Sequence, residues 1–144
     1  MDKERQMVNR IIQLGNSVRR TIFTPEINAR FPIGRKQLSA LNTLNEKGMM
    51  NMTQLASQID VSNQQLTKIV DVLVSKDMVE RKYDPTNRRV VLVDLSDNGR
   101  DYIESMTSAV MQRLKERGIT ITNTQIEALE EHLNYLEEFL EKIG

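Results

Sequence analysis

The chain of 144 residues has no cysteine, no tryptophan and one histidine, and only six of its residues are Phe or Tyr. Without cysteine, neither a disulfide framework nor a thiol switch can operate. One histidine and no cysteine leave too few soft ligands for a structural zinc site, so no metal and no cofactor are expected. His132 then reads as a packing or surface residue. Three prolines and six glycines are too few for a loop-rich or repetitive chain. No apolar run approaches the roughly 18 residues of a membrane span, and the charged start does not read as a signal peptide. These absences point to a cytoplasmic protein with no membrane partner. Net charge is also lacking, since 20 Lys and Arg balance 20 Asp and Glu. The distribution is uneven, however. Residues 1–40 carry eight basic and three acidic side chains, and residues 94–144 carry five basic and eleven acidic. Binding responds to the potential of one face, not to the total. No nucleophile motif, phosphate-binding glycine loop or carboxylate pair is visible, so an enzyme has nothing to rest on.

What is present is concentrated between Met52 and Leu95. In MTQLASQIDVSNQQLTKIV, residues Leu55, Ala56 and Ile59 share one helical face. Leu66, Ile69, Val70 and Leu73 share another further on. Val61 is expected to break the first helix and plug the turn. Ser62 is an N-cap for the second, with Gln65 in capping-box position. Small Ala56 lets the two helices cross closely. This is a helix-turn-helix, a geometry that places the start of the second helix in the DNA major groove. Ser62, Asn63, Gln64, Gln65, Thr67 and Lys68 lie in its first turns. Asn and Gln can pair bidentately with adenine, and Lys can reach guanine or phosphate. A Gln65 folded back on Ser62 is not free to read a base, which favours Asn63, Gln64 and Lys68.

Two β-rich runs follow, Val79 to Tyr83 and Val90 to Leu95. Between them lies the turn Asp84-Pro85-Thr86-Asn87-Arg88-Arg89. A basic hairpin beside a recognition helix is a wing. The stretch VSNQQLTKIVDVLVSKDMVERKYDPTNRRVVLVDLSDNG resembles the multiple-antibiotic-resistance-regulator (MarR) family of winged-helix repressors, and looser helical matching extends the likeness to both flanks. The resemblance implies that the second helix lies in the major groove, that Arg88 enters the minor groove and that Asp84 braces it. Arg89 and Asn87 belong to the same tip. The family usually has Asp where Asn87 stands, so one acidic partner is missing. Asp60 and Asp77 occupy turns where the family often has Gly; Asp tolerates left-handed backbone better than most residues.

The flanks read as helices. Met7, Ile11, Leu14, Val18 and Ile22 recur at helical spacing over residues 4–23. Thr24-Pro25 predicts a break or kink, and Phe31-Pro32 a second. A helix over 33–46 turns Leu38, Leu41 and Leu44 inward and stops at Gly48. Met49 to Met52 suits a short strand edge. Ser96 caps a helix to about Arg117, with Ile103, Met106, Val110 and Leu114 on one face, and Gly118 ends it. Thr122 opens the last helix, with Gln125 in capping-box position. Ile126, Leu129, Leu133, Leu136, Leu140 and Ile143 follow at spacings of three, four, three, four and three, an a/d seam. Tyr135 and Phe139 form a second stripe. Two stripes on a terminal helix call for a second subunit, with Met7, Ile11 and Leu14 contributing from the first helix.

The expected architecture is a mainly α fold with a small β-wing. A winged helix-turn-helix over 33–95 is flanked by helical dimerisation parts at 1–31 and 96–144. In the resembled family the first and last helices interleave across a twofold axis. The expected function is a homodimeric regulator, a repressor, on a pseudo-palindromic site in double-stranded DNA. The resemblance also implies a cleft for a small aromatic or amphipathic ligand, lined from the first, second and fifth helices. Two other readings are a constitutive regulator without ligand and a winged-helix module that binds protein. Arg88, Arg89 and the polar recognition turn speak against the latter.

Overall fold

The computed structural model describes residues 2–144. Seven helices and three short strands follow one another in the order α1 (Asp2–Thr21), α2 (Pro25–Arg30), α3 (Arg35–Lys47), β1 (Met50–Asn51), α4 (Met52–Gln58), α5 (Asn63–Ser75), β2 (Val79–Tyr83), β3 (Val91–Leu95), α6 (Asp97–Glu116) and α7 (Asn123–Ile143). They fall into two compact units, Met1–Val110 and Met111–Gly144, divided within α6.

In the first unit the core sits between α3, α4, α5 and the sheet. Leu41, Leu44, Leu55, Leu66, Val70, Leu73 and Val93 are fully buried there. These are the inward faces that helical periodicity marks, now closed by β3. The antiparallel sheet has the order β1-β3-β2. Val79 faces Leu95, Arg81 faces Val93 and Tyr83 faces Val91. Met50 and Asn51 pair with Val93 and Leu92, so the strand edge expected at Met49 to Met52 exists.

Local chemistry sets most boundaries. Gly48 adopts φ +82° and stops α3. Thr24 caps α2, its hydroxyl accepting from Ile27 N at 3.4 Å, with Pro25 in the first turn. The expected kink at Thr24-Pro25 is therefore the start of a separate helix. Val61 does not break α4. The helix ends at Gln58, and Asp60 turns the chain at φ +56°. Val61 N then donates to Ala56 O at 3.0 Å while its side chain packs on the core. The left-handed residue ends the helix, and the apolar one seals the turn.

The only other non-glycine residue at positive φ among the described residues is Asp77, at +59°. Ser96 Oγ donates to Asp77 O at 2.7 Å, and Asn98 Nδ2 donates to the Asp77 carboxylate at 2.6 Å. The start of α6 thus holds the turn between α5 and β2. Gly99 makes this possible. A Cβ there would lie 2.1 Å from Met78 O and 2.8 Å from Leu95 Cδ1. Backbone cannot yield as a side chain does, so Gly99→Ala is expected to cost about 3 kcal/mol, roughly 10 °C in melting temperature. Thermal unfolding by circular dichroism checks this. An unchanged midpoint would mean α6 moves away from Met78 freely.

In the second unit Gly118 adopts φ +70° and Thr122 caps α7, with Gln125 N donating to its hydroxyl at 3.2 Å. Neither α1 nor α7 contains a buried residue. Met7 and Leu14 on α1, and Ile126, Leu129, Leu133 and Leu140 on α7, are exposed; Ile11 and Leu136 are half-buried. Among the described residues no helix is long and apolar enough to cross a membrane.

Candidate nucleic-acid interface

The start of α5 is a closed capping box. Ser62 Oγ accepts from Gln65 N at 3.1 Å, and Gln65 Oε1 accepts from Ser62 N at 3.0 Å. The Gln65 carbonyl is thus committed to the helix end. Thr67 Oγ1 donates to Asn63 O at 3.0 Å, so its proton is used within the helix. Asn63, Gln64 and Lys68 remain as exposed polar side chains with no partner among these bonds. Gln64 and Lys68, four residues apart, lie opposite Leu66, Val70 and Leu73, while Asn63 sits in the first turn at the edge of that buried face.

Supports behind α5 are equally local. Asn51 and Gln54 form a capping box on α4, with Gln54 N donating to Asn51 Oδ1 at 2.8 Å. Lys36 Nζ donates to Ile59 O at 2.8 Å, which joins α3 to the turn between α4 and α5. The second contact anchors the turn that leads into α5.

The wing tip is an ordered loop. Asp84 Oδ1 accepts from Thr86 N at 2.9 Å and from Thr86 Oγ1 at 2.7 Å. These bonds hold the Asp84 carboxyl below its usual range. Asn87 N donates to Asp84 O, Val90 N donates to Asn87 O, and Asp84 N donates to Val90 O. Asn87 Oδ1 accepts from Arg89 N at 3.1 Å. Asn87 therefore makes the turn bond that an aspartate would make, without its charge. The direct brace expected between Asp84 and Arg88 is absent. Among the described residues no ion pair joins them; Thr86 bonds to one carboxylate oxygen, Oδ1. Arg88 and Arg89 are exposed on this loop.

Two ion pairs that sequence reading missed set the wing. Arg81 on β2 pairs with Asp71 on α5, tying strand to recognition helix. On the opposite face Lys82 Nζ lies 3.0 Å from Asp94 Oδ2, a cross-strand pair that raises the lysine pKa. Asp71 follows Gln64 and Lys68 along one stripe of α5, so Arg81 offsets an acid that would repel phosphate.

These elements, a capped helix with a polar stripe and a basic hairpin anchored to it, form a winged helix-turn-helix. A family model described as the MarR family matches residues 33–91. An HTH-type transcriptional regulator of Mycobacterium bovis, Mb0904, is 30% identical over 102 residues, spanning 71% of each chain. The chain belongs to the MarR family. Its fold is that of a MarR-family protein from Bacillus stearothermophilus, with a TM-score of 0.72 at 22% identity over 95% of this chain and 97% of that one. NadR in complex with 4-hydroxyphenylacetate is similar as well, with a TM-score of 0.64 and 21% identity over 88% of each chain. This MarR-family chain is a DNA-binding transcription regulator, not an enzyme.

The first unit also contains a cavity of about 480 Å³, a size that suits a small organic ligand. Phe23, Phe31, Ile33, Leu38 and Met106 supply apolar walls, and Arg19 and Arg35 supply guanidinium groups. Phe31 is held edge-on against Tyr102, ring centres 5.4 Å apart. Among the described residues neither arginine is paired with a carboxylate. His132 lies exposed on α7. Among the described residues no group of three potential ligands could hold a metal ion.

Proposed function

We propose that this regulator is a homodimeric repressor that binds a pseudo-palindromic DNA site and is released by a small aromatic anion. Residues 33–95 form the DNA-binding part, and residues 1–31 and 96–144 the dimerisation part. Asn63 and Gln64 read bases in the major groove, Lys68 contacts base or phosphate, and Arg88 enters the minor groove. Ser62, Gln65 and Thr67 hold the helix end, while Asn87 and Asp84 hold the tip from which Arg88 and Arg89 project. The observation that carries this reading is the exposed polar start of α5, with Asn63 in the first turn and Gln64 and Lys68 on one stripe, beside an arginine loop held by its own hydrogen bonds.

The cavity favours ligand release over constitutive binding. Two guanidinium groups against aromatic walls match a carboxylate on a ring. NadR, of the same fold, is seen with such a molecule, 4-hydroxyphenylacetate. Release follows if the anion binds better to the form that does not fit DNA. Titrating 4-hydroxyphenylacetate into the DNA complex is expected to free the protein. Arg19→Ala is expected to raise the concentration for half-release about 10-fold, the loss of one charge-assisted contact. If the anion has no effect, or acts equally on the variant, the cavity is not the control site.

A further inference from the structure

We propose that Tyr83 is a further DNA contact, its phenol donating a hydrogen bond to a phosphate of the strand that separates the two grooves. The inference rests on the docking proposed above and adds a contact that neither α5 nor the wing tip supplies.

The strand register decides where Tyr83 points. Along β2, Val79, Arg81 and Tyr83 lie on one face, and Glu80 and Lys82 on the other. Val79 is buried in the core, and Arg81 pairs with Asp71 of α5, so this face is the one turned to the recognition helix. Tyr83 continues it beyond the core and is 68% exposed. Its cross-strand neighbour is Val91, a half-buried apolar residue.

A protein that places one element in the major groove and another in the adjacent minor groove straddles one backbone strand of the duplex. That strand runs through the gap between α5 and the wing. Tyr83, on the face of β2 that Arg81 ties to α5 and next to the wing tip, is the side chain we assign to that gap. The charges around it are compatible with a phosphate. Asp71 is paired with Arg81, and the carboxylates of Glu80 and Asp94 belong to the other face of the hairpin. Lys68 on α5 and Arg88 on the loop are exposed as well. A large exposed ring at such a point costs solubility without serving the core, and a phenol is a good phosphate donor.

A neutral donor leaves a distinct signature. It positions the protein without reading sequence, and it releases no counterion. Tyr83→Phe keeps the ring and removes only the hydroxyl, so the hairpin is retained. The test is a salt-series binding titration on operator and on random-sequence DNA, with Arg88→Ala run alongside. Tyr83→Phe is expected to lose about 10-fold for each subunit's contact, so on the order of 100-fold for the dimer, on both DNAs with the salt slope unchanged. Parent-like affinity on both DNAs overturns the proposal, and so does a loss confined to the operator or a changed slope. Arg88→Ala separates the failures. If it loses affinity while Tyr83→Phe does not, only the Tyr83 contact falls. If both are silent, the wing docking falls with it.

Discussion

Replacing Leu133 and Leu136 together by glutamate is expected to convert the protein into a folded monomer that no longer holds its operator. The expectation follows from what α7 leaves uncovered. It has no buried residue, and Leu133 is 51% exposed within the single chain. A heptad seam of six residues left in this state is incompletely covered by its own chain. Within one subunit the glutamate at the exposed position 133 would cost little, and the one at the half-buried position 136 still has access to water. In a seam closed by a second subunit, each unpaired carboxylate must be desolvated. The penalty, roughly 5 kcal/mol in all, is more than three orders of magnitude in the dimer constant. The winged part has its own core of Leu41, Leu44, Leu55, Leu66 and Val93, so it stays folded. Sedimentation combined with circular dichroism reads both properties. A folded dimer at micromolar concentration would show that the seam lies elsewhere. The apolar stripe of Met7, Leu14 and Val18 on α1, also uncovered, would then be the remaining candidate.

Removing Arg88 is expected to have the second large effect, this time on affinity at every sequence. Arg88 sits on a loop whose conformation is determined by Asp84, Thr86 and Asn87, so the guanidinium is presented without a large ordering cost. A narrow minor groove concentrates negative potential, and an arginine placed there gains from it on any DNA, most on A·T-rich DNA. Each charge-assisted contact contributes about 1.5–3 kcal/mol, so a dimer lacking both should bind at least on the order of 100-fold more weakly. Thr86 enters this account through Asp84. Among the described residues Asp84 forms no ion pair with Arg88, and the arginine is exposed on the loop.

Much of this was legible in the chain because the controlling chemistry is local. Ser62 with Gln65 and Thr122 with Gln125 announce helix starts three residues apart, and both boxes are closed in the structure. Asp60 and Asp77, standing in turns, adopt the left-handed backbone expected of them. The inward faces of α3 and α5 follow from periodicity alone. What escaped reading depends on partners distant in sequence or on a choice between two local bonds. Arg81 and Asp71 lie ten residues apart across a turn, and nothing in their spacing pairs them. Met49 to Met52 reads as an apolar strand edge, which hides the Asn51 and Gln54 box. Asp84 reads as a brace for Arg88, yet in the fold its Oδ1 bonds to Thr86 two residues on. The cavity draws Arg19, Phe23, Asn28 and Arg35 from separate elements, so only folding brings them together.

The central claim is that α5 reads sequence while the wing supplies sequence-independent grip. One measurement separates these roles: binding of the parent, Arg88→Ala and Gln64→Ala to operator and random-sequence DNA over a series of salt concentrations. Arg88→Ala should weaken both complexes and lower the salt slope by about one for each arginine removed. Gln64→Ala should cost ~1–3 kcal/mol on the operator and almost nothing on random DNA, with the slope unchanged. Equal losses on both DNAs for Gln64→Ala, or parent-like binding by Arg88→Ala, would contradict the account.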